Sequence, residues 1–461
     1  MSQILKRGMS LALSVLSTAA VAQDKVVYGA DNRVEVYEAP ASLQNVAFST
    51  AAMIPVSSLK LNTDEAAGNV GTYTADQATL QSNGICEDDR FAKQPTAGMC
   101  SGFLIGPDLL VTAGHCVNRW NSCESNAWVF GYAMDQLTAS AGVNIPAENV
   151  YRCKKLVNVQ LSSALGTDHG LVQLDRVVTN REPLKFRAID KVADNQSIVV
   201  IGHPMGLPTK VSDGANVRTN THPHFFVANL DTFGGNSGSA VFNMDDLSVE
   251  GILVRGETDY KYNAEKGCQE VFVCDDDKCR GEDVTRITSV LELSRRDEVL
   301  AAAAEGNKTI IESYLSMKGW VDMYDNARES ILVKAVKGQM AEVAKLLLEV
   351  RADVNLVDLA GKISLHHLAD QATTTAAGAE ILAGLVAKEV KIDAQDALGE
   401  TALIKAVKKN NAIMVELLIE AGADALVRDN SGKRAIEYTK RFSIRDLKIR
   451  RALTKAADKK A

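Results

Sequence analysis

The apolar positions of this chain change their period once. Up to about residue 290 they come in short runs broken by Gly and Asn, such as Cys100-Ser101-Gly102-Phe103-Leu104-Ile105, which read as strands. Beyond that point Ala- and Leu-rich helical spacing takes over and no cysteine occurs. The expected architecture is therefore multidomain, with an all-β part over 23–290 and an all-α part over 291–461. The chain starts differently again. Lys6-Arg7 precede an apolar run from Met9 to Val21, and Ala20-Val21-Ala22 stand before Gln23, the pattern of a secretory signal peptide over 1–22 cleaved near Ala22. The expected address is secreted or periplasmic. No cysteine follows the cleavage site, and no later apolar run approaches the ~20 residues of a membrane helix, so no membrane anchor is expected.

The helical half repeats itself. Ser330-Ile331-Leu332-Val333-Lys334-Ala335-Val336 recurs as Thr401-Ala402-Leu403-Ile404-Lys405-Ala406-Val407, with Ile363-Ser364-Leu365-His366 between them in the same register. The equivalent positions Arg328, Gly361, Gly399 and Gly432 are spaced 33, 38 and 33 residues. The second halves agree, in Leu346-Leu347-Leu348-Glu349 and Leu417-Leu418-Ile419-Glu420. A 33-residue period with a Thr-x-Leu-x-x-Ala start resembles ankyrin repeats, which implies an all-α solenoid of stacked helix pairs. Segments 295–324 and 430–461 are the expected caps, and the five extra residues fit a loop insertion over 371–378. The resemblance implies a hydrogen-bonding role for His366 and a protein partner bound on the repeats, or repeats that brace the first half.

Three segments before residue 240 carry chemistry together. Thr112-Ala113-Gly114-His115-Cys116, Asp168-His169-Gly170 and Gly234-Gly235-Asn236-Ser237-Gly238-Ser239 supply a base, an orienting carboxylate and a nucleophile. A serine hydroxyl needs an imidazole to take its proton, and a buried carboxylate holds that imidazole in the useful tautomer. His169 points to the opposite strand face from Asp168. The order His, Asp, Ser resembles the chymotrypsin-like serine peptidases, and Gly-Asn-Ser-Gly-Ser is most similar to the bacterial glutamyl endopeptidases. The resemblance implies a double barrel of chymotrypsin type. It assigns His115, Asp168 and Ser237 as the catalytic residues of a serine-type endopeptidase, and Gly235 and Ser237 as the oxyanion-hole donors. It also implies a Cys100 to Cys116 disulfide beside the base, and a mature amino terminus like that of Val26-Val27-Tyr28-Gly29-Ala30-Asp31-Asn32-Arg33, from a cut near Lys25. Asp231 takes the pocket-floor position of trypsin, favouring Arg or Lys in the substrate. Thr232 and Arg255 would serve an acidic side chain instead, and Leu253 stands where the glutamyl branch has a histidine.

All eight cysteines lie in the part before residue 290, and in an oxidising compartment they read as disulfides. Pairing beyond Cys100 with Cys116 stays open. Cys268, Cys274 and Cys279 beside Asp275-Asp276-Asp277 do not have zinc spacing, so no metal and no cofactor are expected. A net charge of −7 over 461 residues gives no general basic surface for nucleic acid, and the Lys- and Arg-rich tail from Lys440 reads as the solvated face of a closing helix. A peptide or protein substrate is the expected partner of the first half. The competing reading is a catalytically silent protease-fold protein acting through its repeats. A periplasmic protease-chaperone would carry a PDZ module.

Overall fold

In the computed structural model, twelve strands close into two six-stranded antiparallel barrels that a stack of helices then extends. The structure describes residues 27–62, 71–75, 78–118, 123–134, 145–256, 258–275, 278–439 and 444–460. The expected signal peptide and the Lys25 cut lie outside them. The first barrel comprises β1 (Thr50–Pro55), β2 (Cys100–Gly106), β3 (Leu109–Thr112), β4 (Asn126–Phe130), β5 (Val150–Ser162) and β6 (Thr167–Leu174), in the order β5-β6-β3-β2-β1-β4, closed by β4 pairing with β5. The second comprises β7 (Ser197–Gly202), β8 (Lys210–Thr219), β9 (Phe225–Ala228), β10 (Ala240–Asn243), β11 (Val249–Arg255) and β12 (Glu282–Arg286), in the order β7-β10-β11-β12-β9-β8, closed by β7 pairing with β8. The short strand Arg33–Glu35 adds to the edge of β8.

Several strands are apolar on both faces because both are covered. On β7, Ile198 and Val200 join one buried cluster with Phe226, Val241, Leu253 and Val284, while Val199 and Ile201 belong to another. That second cluster is continuous. It runs from Phe103, Trp128 and Leu171 through Leu293 and Val299 to Leu347, Leu403 and Leu418 of the helices. The disulfides are Cys86–Cys268, Cys100–Cys116, Cys123–Cys153 and Cys274–Cys279.

The helical part stacks the pairs Arg296–Glu305 with Lys308–Ser316, Ile331–Lys337 with Ala341–Glu349, Ser364–Ala369 with Ala376–Ala387, and Ala402–Lys408 with Ala412–Glu420, then ends in Ile444–Lys460. Ser330 and Thr401 cap their helices by accepting from Val333 N and Ile404 N. The repeating hairpin has a local cause. Asp325, Asp358, Asp396 and Asp429 each accept two backbone N–H bonds from residues two and four further on. Three residues after each aspartate the chain turns left-handed, at Arg328 (φ 59°), Gly361 (76°), Gly399 (73°) and Gly432 (74°). Only Arg328 is not glycine. His366 bridges units, its Nε2 lying 3.0 Å from both Ala394 O and Glu400 O. The expected insertion over 371–378 is only partly loop, because Thr375 caps a helix that begins at Ala376.

Helices and barrels meet through a buried polar knot. Asp108, in the β2–β3 turn and 2% exposed, accepts from Gln173 Nε2 at 3.1 Å, from Tyr324 Oη and from Arg328, whose Nη2 is 3.0 Å away. Nearby, Asn158 Nδ2 lies 3.0 Å from both oxygens of Glu292, and the Lys155 ammonium sits 4.9 Å from the Trp320 ring centre.

Candidate active site

β3 ends at Thr112 and the chain makes one tight turn, Gly114–Cys116, that presents His115. Asp168, near the start of β6 and 3% exposed, holds this turn with both oxygens. Oδ1 accepts the His115 backbone N–H at 3.0 Å and Oδ2 lies 2.7 Å from Nδ1. The same carboxylate therefore fixes the loop and the ring, leaving Nε2 as the nitrogen for other partners. One third of the His115 side chain is exposed. The Cys100–Cys116 disulfide pins the residue after His115 to the start of β2.

Ser237 belongs to the loop entering β10. Its carbonyl accepts from Ser101 N at 2.8 Å and lies 3.6 Å from Cys116 Sγ, so the loop rests against the two ends of that disulfide. Close approach demands glycine next door: a methyl at Gly238, where φ is 90°, would lie 2.1 Å from Ser101 O. Ser237 is half-buried while Asn236 and Ser239 beside it are buried. Among the described residues no hydrogen bond joins its hydroxyl to His115, a contact that often tightens only with substrate.

The preceding turn orients two amides. Asn236 N donates to Phe233 O at 3.0 Å, and Gly235 takes φ 85°, the sign a type II turn needs at that position. Gly234 O accepts from Met205 N, and Asn236 O accepts from Ser239 N at 2.9 Å. In a trans peptide the N–H points opposite to the carbonyl, so the Gly235 and Ser237 N–H groups face away from those donors. Ser101 Oγ adds a bond to Gly235 O at 2.9 Å.

A family model described as trypsin-like peptidase domain matches residues 100–252, and one described as ankyrin repeats (many copies) matches residues 385–438. The chain carries a trypsin-like peptidase domain followed by ankyrin repeats. No curated protein matches the chain.

In the peptidase domain each of the expected pocket residues has protein partners of its own. Asp231 is buried but not a bare pocket floor. Its oxygens accept from Tyr28 N at 2.7 Å and Asn32 N at 2.9 Å, so it clamps the segment before Arg33–Glu35. Burial outweighs these bonds and pushes its carboxyl up to about 6. Leu253 is fully buried in the second barrel's core, because β11 turns it inward. Arg255 faces Asp283, Nε to Oδ2 3.4 Å, and Nη2 donates to Gly166 O at 3.3 Å. Thr232 is fully buried and donates to Glu282 Oε2 at 2.8 Å. Glu282, Met205 and Ser101 are the neighbours the sequence reading missed. Only a fold places them beside residues 231–239.

Two other histidines of the peptidase domain are held neutral by burial, His169 down to about 4 and His203 down to about 3. Two groups of possible metal ligands lie together among the described residues. Cys100, His115 and Cys116 form one, but its sulfurs are bonded to each other. Glu329, Asp358 and His367 form the other, with Lys334 and Lys337 on Glu329 and His367 Nε2 2.8 Å from Asp358. In the repeats no helix among the described residues is long and apolar enough to cross a membrane.

Proposed function

We propose that the protein is an exported serine endopeptidase whose repeats bind a protein partner. Ser237 Oγ attacks the scissile carbonyl carbon as its proton passes to His115 Nε2, and Asp168 holds the imidazolium that results. The Gly235 and Ser237 N–H groups take the developing oxyanion, where losing one donor typically costs ~3 to 4 kcal/mol. His115 then returns the proton to the leaving amine, and water attacking the acyl-enzyme repeats the sequence in reverse. Cleavage near Ala22 releases the mature chain, and its disulfides suit an oxidising compartment.

The observation that carries this reading is the double hold of buried Asp168 on His115, at 3.0 and 2.7 Å, with Ser237 presented on a left-handed turn beside it. A catalytically silent protein has one observation in its favour, the missing Ser237–His115 hydrogen bond. Fluorophosphonate labelling of purified mature protein decides between them. Labelling lost in Ser237→Ala supports the peptidase, and wild-type protein that takes no label refutes it.

A further inference from the structure

The turn that carries the oxyanion donors has two backbone shapes open to it. Phe233-Gly234-Gly235-Asn236 is a type II turn, and type I differs from it chiefly by turning over the central Gly234–Gly235 peptide. Neither glycine has a Cβ to oppose that rotation. In the turned-over form the Gly235 N–H leaves the side of the oxyanion, and the Gly234 carbonyl oxygen takes its place. What holds the useful form is a second turn, Pro204–Gly206 after β7, whose Met205 N–H donates to Gly234 O. Met205 stands at φ 52°, a left-handed conformation unfavourable to any side chain, and such strain clusters where function requires it. Its turn is tied down by Gly206 N to His203 O at 3.0 Å, His203 Nδ1 to Leu207 O at 3.1 Å and Gly98 N to Gly206 O at 3.2 Å.

We propose that Ser101 is a positioning residue of the oxyanion hole, clamping the Met205 turn to the Gly235 turn so that the Gly234–Gly235 peptide does not turn over. The inference rests on Ser237 being the nucleophile. The Ser101 hydroxyl is fully buried and touches both turns, accepting from His203 N at 2.9 Å and donating to Gly235 O at 2.9 Å. Its own N–H donates to Ser237 O at 2.8 Å, and its carbonyl accepts from Thr112 Oγ1 at 2.7 Å at the end of β3. A strand of the first barrel thereby grips both turns of the second. Without the hydroxyl, His203 N–H and Gly235 O lose this link, the turns part, and both orientations of the Gly234–Gly235 peptide become populated. The hydroxyl bonds neither His115 nor Asp168 among the described residues, so the base and its carboxylate keep their geometry.

The test compares wild type with Ser101→Ala in the full mature chain, using a fluorogenic peptide that wild type cleaves and two inhibitors of the same sequence. One ends in an aldehyde, which adds to Ser237 Oγ and places an oxyanion in the hole; the other ends in an alcohol, which forms none. In the variant kcat should fall about tenfold to a hundredfold with KM within about twofold, short of the roughly 10²–10³-fold cost of losing a donor outright. The Ki of the aldehyde should rise by the same factor and that of the alcohol should hold. A general disturbance of the fold would weaken both alike. Unchanged kcat in a folded variant, or equal losses for aldehyde and alcohol, overturns the assignment. Should Ser101→Ala fail to fold, amide hydrogen exchange in wild type decides: His203 and Met205 must be protected as strongly as Val200 and Ile201 of β7, and free exchange at either overturns the assignment too. Wild-type protein that no fluorophosphonate labels removes the peptidase reading, and this inference with it.

Discussion

Arg328→Met tests whether helices and barrels fold as one body. The substitution keeps a non-glycine residue at φ 59° and most of the aliphatic volume, so backbone strain is unchanged and only the guanidinium is lost. What remains is a carboxylate 2% exposed, with Gln173 and Tyr324 as neutral donors. Removing one partner of a buried pair costs ~3–5 kcal/mol. Because two donors stay, the lower value of ~3 kcal/mol is expected, and at ~2 °C per kcal/mol for a body this large Tm should fall by ~6 °C. Melts followed by helical circular dichroism and by fluorescence of buried Trp128 should shift together. Tyr324→Phe should cost ~1.5–3 kcal/mol by itself. The two substitutions should not add, since they share Asp108. A shift below ~1 °C for Arg328→Met, or a fluorescence transition that stays put while the helical one moves, refutes the reasoning.

Ser237→Ala should reduce peptide turnover by on the order of a millionfold with the fold intact by circular dichroism, and Asp168→Asn by ~10⁴ through the wrong tautomer; near-wild-type kinetics in either sinks the triad. Replacing Cys100 and Cys116 together by alanine removes a 16-residue cross-link, expected to cost ~3 kcal/mol by denaturant titration; native mature protein in which both thiols alkylate without reduction contradicts the bond. Asp231 gives a pH signature with a definite sign. Its carboxyl ionises near 3.8 unfolded and about 6 folded, so its contribution is fully present below pH ~4 and lost as pH rises through 6. Relative to Asp231→Asn, wild type should lose ~2 kcal/mol between pH 4 and 7, and parallel pH profiles would show the carboxylate is not desolvated.

What was legible in the chain followed the range of each interaction. The hairpin turns of the repeats are local, an aspartate three residues before a left-handed position, and their 33-residue spacing is visible by eye. His115 and Asp168 were legible because each sits in a motif whose chemistry demands the other. The remaining three disulfides were not, since Cys86 meets Cys268 across 182 residues that only two closed barrels bring together. The partners of Asp231 were hidden for the same reason. The pocket-floor expectation came from its place six residues before the serine, whereas the backbone N–H groups it accepts from lie some 200 residues away in the chain.

Arg328 shows what attaching a repeat array to a catalytic body requires. Its three counterparts are glycine, which accepts a positive φ freely, while a side chain there costs on the order of 1 kcal/mol or more. The first unit bears that strain and holds Asp108 of the barrel with the same residue. Comfort within the unit and attachment to its neighbour are therefore opposed at one codon. Arg328→Gly would relax the turn toward the geometry of the other units and, in the same step, unfasten it from the peptidase, so a repair toward the repeat consensus would act as damage.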